Sequence, residues 1–234
     1  MKQYTRDTAH QQKKPVTKPA VNLYEPYVPP SFFYKTLRIV ITLIITFTAR
    51  LHVYGLYNVP CKGPLLIAAN HLAWTDIPLI PLRLSFKVVY MAKAEVFTHK
   101  IGRFLHFLGT FPVKRGEGDR QAIRTAEEQL KKGNVIVVFP EGTRSRTRTL
   151  AHGYAGLGMI ALRTGVPVIP VAIWGSENVL KKLGARVTIC YGEPLVFKPK
   201  GAKVTRQDID KATETVMRKI ASMLPPEYRG VYAD

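Results

Sequence analysis

The chain alternates short apolar runs with segments of helical periodicity from Asn58 onward. Six apolar runs predict buried strands, at residues 64–69, 87–92, 111–113, 134–139, 167–173 and 186–191. Apolar positions spaced three and four apart predict helices over residues 95–108, 119–132, 153–164 and 205–224. This alternation is typical of an α/β domain whose mostly parallel sheet is flanked by helices.

The N-terminal part has a different composition. Residues 1–30 contain five prolines, several basic side chains and few aliphatic residues, so no regular element forms there without outside contacts. We therefore predict a flexible basic arm over residues 1–30, a membrane-associated helical segment over 31–56 and the α/β domain over 57–234.

The helical segment contains an apolar run, 39–47, with Arg38 and Arg50 on either side. At 1.5 Å per residue this run is shorter than the roughly 30 Å hydrocarbon core of a bilayer, so it would lie in the interface or re-enter. Extension back to Phe32 approaches a spanning length, which leaves a single pass open. The alternative is a buried core helix. The basic flanks favour contact with an anionic membrane.

The net charge limits the classes of binding partner. The 234 residues carry 35 Lys and Arg against 16 Asp and Glu, a net charge of +19, which favours a nucleic acid, a phospholipid or an acidic or phosphorylated substrate. No nucleic-acid-binding motif is present, so we expect no nucleic-acid partner. Cys61 and Cys190 are too few for a disulfide framework or a thiolate zinc site, and the histidines lack metal-ligand spacing, so no metal is predicted.

Candidate chemistry begins directly after the first predicted strand, where His71 and Asp76 lie five positions apart. On one continuous helix they would point roughly 140° apart and could not touch. A helix that begins near Trp74 or Thr75 would let the carboxylate reach the imidazole. The pair could then act as a general base, with one ring nitrogen held and the other free to take a hydroxyl proton. The alternative is a capping Asp and a surface His that never meet.

Two further strand ends carry cationic loops. Phe139–Ser145 follows the strand predicted at 134–139, with Gly142 for a tight turn and Arg144 for bidentate contact with a phosphate. Gly109–Arg115 presents cations after another short apolar segment. A single basic loop is usually a solvated surface, but ligands of α/β sheets bind at strand carboxyl ends, and three such loops together indicate a site.

Four ordered motifs carry a family resemblance. They are N-H-x4-D at 70–76, G-x-F-P-V-x-R at 109–115, F-P-E-G-T-R-S at 139–145 and V-P-V-I-P-V at 166–171. With them the chain resembles the lysophosphatidic acid acyltransferases, the 1-acylglycerol-3-phosphate O-acyltransferase family of the glycerolipid acyltransferase superfamily. The likeness covers roughly residues 31–200, and it implies a glycerolphosphate acyltransferase-like α/β fold.

The resemblance also implies an activity. An acyl group would pass from acyl-CoA or acyl carrier protein to the 2-hydroxyl of 1-acylglycerol-3-phosphate, giving phosphatidic acid in phospholipid biosynthesis without a cofactor. His71 would be the catalytic base and Asp76 its partner. The residues implied for the acceptor's phosphoglycerol group are Arg115, Glu141, Gly142, Thr143 and Arg144. The enzyme would work on an anionic phospholipid membrane, at the cytoplasmic face of the cell membrane.

Alternative acceptors, donors and functions remain compatible with the sequence. The acceptor could be another lysophospholipid, glycerol phosphate or a glycolipid, and the donor could be carried by either CoA or the carrier protein. A different class of protein, a non-catalytic basic module that binds membranes or nucleic acid, also fits the charge. Ser145 and Cys190 are nominal nucleophiles that we interpret as structural.

Overall fold

A single sheet organises the parts of the chain that the computed structural model describes, residues 31–98, 109–113, 120–199 and 203–233. Its strands are Ala49–Tyr54 (β1), Leu65–Ala69 (β2), Val88–Lys93 (β3), Thr110–Val113 (β4), Val135–Val138 (β5), Val168–Trp174 (β6) and Ala185–Tyr191 (β7). Their order is β1-β7-β6-β2-β5-β3-β4, and every neighbouring pair is parallel except β6 and β7. The predicted mostly parallel sheet is therefore confirmed.

Helices pack on both faces of this sheet. They are Ser31–Thr48 (α1), Asp76–Leu79 (α2), Arg120–Lys131 (α3), Gly156–Thr164 (α4) and Arg206–Met223 (α5), with short 3-10 turns between several elements. A capping box starts α5, because Thr205 and Asp208 each accept a hydrogen bond from the other's backbone N–H. Three of the four helices predicted for the α/β domain, those over 119–132, 153–164 and 205–224, are thus present.

The core consists of two apolar layers, one on each face. Helices α3, α4 and α5 cover the first face and contribute, among others, Leu130, Ile160 and Val216. On the second face Ile45 of α1 packs with the 79–84 segment over the strands. All five residues of β2 are buried, because a central parallel strand is covered on both sides. This explains why the central strands are continuous apolar runs in the sequence.

One predicted segment is corrected. The segment 31–56 is helical only as far as Thr48, and Ala49–Tyr54 is an edge strand that pairs in parallel with β7. Inward and outward positions alternate along β1, which is the two-residue period of a strand with one solvated face. Two predictions lie outside the described residues: the arm over 1–30 and most of the helix over 95–108. Only residues 95–98 of that helix are seen, in the 3-10 turn Ala94–Thr98.

No helix in the described ranges is both long enough and apolar enough to cross a membrane.

Candidate active site

The site lies where β2 and β5 end together beside β6. Ala68 of β2 pairs with Val138 of β5, and Ala69 pairs with Val171 of β6, so the loops that follow β2 and β5 emerge side by side. Asn70 anchors the first loop: its side-chain amide donates to the Ile173 carbonyl and its side-chain oxygen accepts from the Ile173 N–H, both at 2.8 Å. The loop that carries the candidate base therefore starts from a fixed position.

His71 and Asp76 meet. The imidazole Nδ1 lies 2.8 Å from Asp76 Oδ2, because the chain turns at Trp74 and Thr75 before α2 begins at Asp76. The same carboxylate oxygen accepts from two backbone N–H groups, those of Leu72 at 2.7 Å and Ala73 at 2.8 Å. The expected break between the two residues is present, and it makes the contact possible.

The hydrogen-bond donors around Asp76 indicate the tautomer of His71. Asp76 has no exposed surface and His71 is 8% exposed. Since an ionised carboxylate only accepts hydrogen bonds, Nδ1 carries the imidazole proton and Nε2 keeps its lone pair. Within the described parts of the chain, no side chain or backbone group hydrogen-bonds to Nε2. The arrangement can accept a proton at Nε2 and stabilise the resulting imidazolium through Asp76.

Aromatic side chains hold the ring and the helix behind it. The His71 ring stacks on Phe139 with 3.9 Å between centroids and 15° between planes. Tyr90 donates to the Ile77 carbonyl within α2, and Tyr191 donates to the Ile80 carbonyl in the turn that follows it. None of these roles was predicted from the sequence, although Phe139 belongs to the F-P-E-G-T-R-S motif.

Glu141 connects the two loops from inside. Its Oε1 accepts from the His71 N–H at 2.9 Å and its Oε2 accepts from the Ala151 N–H at 3.0 Å. In return, the Ser145 N–H donates to the His71 carbonyl at 2.8 Å. The loops are thus crosslinked at the residue that carries the base. Glu141 is 4% exposed and contacts backbone with both oxygens, so its predicted contact with substrate stays a prediction.

The electrostatics of Glu141 follow from this burial. Burial raises the pKa of its carboxyl to about 7, the two N–H donors lower it and the Asp76 charge raises it further. The folded chain therefore binds this proton more tightly than the unfolded chain, whose value is near 4.5. The stability that this group contributes is present below that value and is lost as the pH rises towards about 7.

The cationic rim of the site, which contains Arg144, is formed by the 139–145 loop after β5. The Gly142 N–H donates to the Phe139 carbonyl at 2.9 Å, and Gly142 has a φ of 64°, in the left-handed region that glycine favours. Thr143 and Arg144 follow it and are exposed. The Arg144 guanidinium lies 4.6 Å from the ring centre of half-exposed Trp74, a cation–π contact that the sequence analysis did not predict.

Arg115 lies outside the described residues, so the structure does not place it. Among the side chains that are described, no group of three or more His, Cys, Asp or Glu is arranged to hold a metal ion.

Comparison with known proteins identifies the family. Residues 50–174, more than half of the chain, match the family described as Acyltransferase. The chain belongs to this family. The acyltransferase match includes the β2 and β5 loops, which carry His71, Asp76, Glu141 and Arg144.

Individual relatives indicate which group within the family the chain resembles. The acyltransferase is 30% identical over 195 residues to the 1-acyl-sn-glycerol-3-phosphate acyltransferase of Bacillus subtilis, covering 81% of this chain and 96% of that protein. The crystal structure of the 1-acyl-sn-glycerophosphate acyltransferase PlsC from Thermotoga maritima superimposes with a TM-score of 0.59 at 29% identity, over 81% of this chain and 82% of that one. The resemblance to the lysophosphatidic acid acyltransferases is confirmed.

A third relative has a different acceptor in its name. A lyso-ornithine lipid O-acyltransferase of Pseudomonas aeruginosa is 39% identical over 114 residues, which cover 48% of this chain and 43% of that protein. The chain thus spans less than half the length of that relative.

Proposed function

We propose that this acyltransferase transfers an acyl group from an acyl thioester to the 2-hydroxyl of 1-acylglycerol-3-phosphate, producing phosphatidic acid. The observation that carries the proposal is the His71–Asp76 pair, because Nδ1 is held by the carboxylate. Exposed Arg144 belongs to the neighbouring loop, whose Ser145 N–H donates to the His71 carbonyl. The names of the Bacillus and Thermotoga relatives support this acceptor.

The reaction is a direct transfer. His71 Nε2 takes the proton of the acceptor hydroxyl, and the oxygen attacks the thioester carbonyl carbon. The C–S bond then breaks, and the imidazolium returns the proton to the thiolate, so the products are an ester and a free thiol. Asp76 holds the ring in the required tautomer throughout.

No serine intermediate is needed in this scheme. Ser145 Oγ donates to the Thr149 carbonyl at 2.8 Å and accepts from the Thr149 N–H at 3.1 Å. Its hydroxyl therefore closes the 145–149 turn, which supports the structural interpretation of Ser145.

The test is an assay with a mixed pool of acceptors. The purified enzyme is given an acyl thioester with lysophosphatidic acid, glycerol phosphate, a lysophospholipid with a larger head group and a lyso-ornithine lipid, and the products are identified by mass. We expect thiol release that depends on lysophosphatidic acid, with phosphatidic acid as the main product. A main product from any other acceptor in the pool would contradict the proposal, and no thiol release would favour a non-catalytic module.

Arg144→Ala should weaken binding of the phosphorylated acceptor. A charge-assisted hydrogen bond is worth about 1.5–3 kcal/mol, so we expect KM for lysophosphatidic acid to rise about tenfold or more with a small change in kcat. Arg144→Lys is the matched control, because it keeps the charge and should lose less. An unchanged KM together with an unchanged kcat/KM would exclude this phosphate contact.

We also propose that α1 embeds in the interface of an anionic membrane, at the cytoplasmic face of the cell membrane. One side of α1 is fixed to the domain: Ile45 is buried, and Arg38 Nη1 donates to the Leu84 carbonyl at 2.8 Å. The outer side exposes large apolar side chains, which are Phe32, Ile39, Val40, Leu43, Ile44 and Phe47. The exposed apolar side chains can insert between lipids, and the net charge of +19 attracts the protein to anionic head groups. Both features favour binding to an anionic lipid surface.

Replacing this stripe should release the enzyme from vesicles. For Ile39→Ser/Leu43→Ser/Phe47→Ser we expect at least about a tenfold loss of affinity for anionic vesicles, because each buried side chain contributes about 1.5–3 kcal/mol. The control is Leu180→Ser/Val196→Ser, which removes exposed apolar side chains elsewhere. The measurement is co-sedimentation at high salt, and equal binding by both variants would contradict the α1 proposal.

A further inference from the structure

A second concave surface lies at the β1–β7 edge of the sheet. We call it the edge groove; it has a volume of about 970 Å³ and is lined by the outward side of β1 and β7, the end of β6 and the segment around Tyr228. This volume is in the range of small-molecule sites. The side chains of the candidate active site are not among its lining residues.

The floor of the edge groove is cationic. Arg50 and Arg186 are register partners on neighbouring strands and both are exposed, and Lys182 precedes them in the turn before β7. None of the three forms an ion pair with a carboxylate of the described residues. Like charges directly opposite one another destabilise a strand pair, and an anion between the two guanidinium groups would remove that penalty. The floor is therefore suited to a phosphate.

The walls of the edge groove are aromatic. Trp174, Tyr54 and Tyr228 all line it. Tyr228 is held in place, because its hydroxyl donates to the buried carboxylate of Glu177 at 2.9 Å. Aromatic faces next to unpaired arginines are the combination that binds a phosphorylated nucleotide, whose base stacks while its phosphates pair with the cations.

The edge groove opens at the end of the sheet where β2 and β6 finish, which is also the end that carries His71. Trp174 is opposite Thr188 on the antiparallel β7, so the start of β7 and the end of β6 lie together. Thr75, next to Asp76, donates to the Ser176 carbonyl at 2.9 Å and joins the two regions. Three strand spacings of about 4.8 Å separate β2 from β1, or about 14 Å across the sheet. A ligand that uses both regions needs an extended arm between them.

We propose that the edge groove binds the phosphorylated nucleotide of acyl-CoA, whose pantetheine arm then reaches the base. The inference rests on the proposed function and makes CoA the carrier of the acyl group. An acidic carrier protein is the rival, but stable protein interfaces cover about 800 Å² per partner, whereas this site is a concave groove with exposed Glu227 among its lining residues. A carboxylate there opposes an acidic protein surface, while a nucleotide can occupy the arginine side.

The test uses the Arg50→Ala/Arg186→Ala variant of the full chain. We expect its KM for acyl-CoA to rise about tenfold or more, while its KM for acyl-pantetheine, which has the same thioester without the nucleotide, is unchanged. The matched control is Lys131→Ala/Lys132→Ala, which removes the same charge at the opposite end of the strands, just before β5 begins. A similar rise for both thioesters, a similar rise in the control, or a rise for the acyl carrier protein thioester alone would overturn the proposal.

A binding measurement separates this proposal from the activity. Adenosine 3′,5′-bisphosphate is titrated into the wild-type protein and the variant by calorimetry, and we expect at least a tenfold weaker affinity in the variant. Absence of binding to the wild-type protein would overturn the edge-groove proposal even if acyl transfer occurs. Binding without acylation of lysophosphatidic acid would instead contradict the proposed function and leave the nucleotide site standing.

Discussion

His71→Ala is expected to lower kcat for acyl transfer by at least about 10²-fold, which is the usual contribution of a positioned general base. The reason is that Nε2 is the atom available to take the acceptor's proton, while Nδ1 is engaged by Asp76 at 2.8 Å. The measurement is thiol release from the acyl thioester in the presence of lysophosphatidic acid.

Two controls make this result specific. His152→Ala removes an exposed imidazole near the ring of Tyr232, far along the chain from the base, and should leave kcat unchanged. Thermal unfolding checks that the His71 variant keeps its fold despite the lost stacking on Phe139. Near-normal turnover by folded His71→Ala would refute the assignment of the base.

Asp76→Asn should also lower kcat by at least about 10²-fold. Its Oδ2 accepts from the imidazole and from two backbone N–H groups, so an amide that keeps its oxygen there loses the charge that stabilises imidazolium. If the amide instead turns its NH₂ group toward the ring, Nδ1 must accept and the proton moves to Nε2, where it blocks the base. Either orientation impairs proton transfer.

The Asp76 effect can be separated from a general loss of structure. Because Asp76 acts through His71, the double variant should be no slower than His71→Ala alone, a non-additivity expected for residues that work as a unit. Asp210→Asn, which changes an exposed acid paired with Arg206, is the control and should retain full activity. Additive losses in the double variant would show that Asp76 has another role.

Much of the fold was accessible from the sequence because buried parallel strands need apolar side chains on both faces. The runs at 64–69, 134–139 and 167–173 therefore stood out, and all three lie in the middle of the sheet. Edge strand β1 did not, since it directly follows an apolar helix and only half of its residues are apolar. Its alternation from Ala49 to Tyr54 was the available signal.

The candidate site also has a part that was predictable from the sequence and a part that was not. Residue types and motifs pointed to His71, Asp76 and the 139–145 loop, because the chemistry needs those groups. The direction of each side chain depended on turns: Glu141 faces backbone donors, whereas Arg144 lies over Trp74. The spacing of residues in the sequence does not show which way a side chain points. That direction is decided when the loops pack against each other.

The sequence by itself determined the layered α/β architecture and the acyltransferase family, and it identified His71 and Asp76 as the candidate base, since these follow from local hydrophobic pattern and from short motifs. Only the tertiary structure decided that His71 and Asp76 touch, that Glu141 crosslinks their loop, and that Arg50, Lys182 and Arg186 share one groove. The physical reason is distance along the chain. Strand pairing brings β1 beside β7 across more than a hundred residues, and no local pattern encodes which distant segments become neighbours.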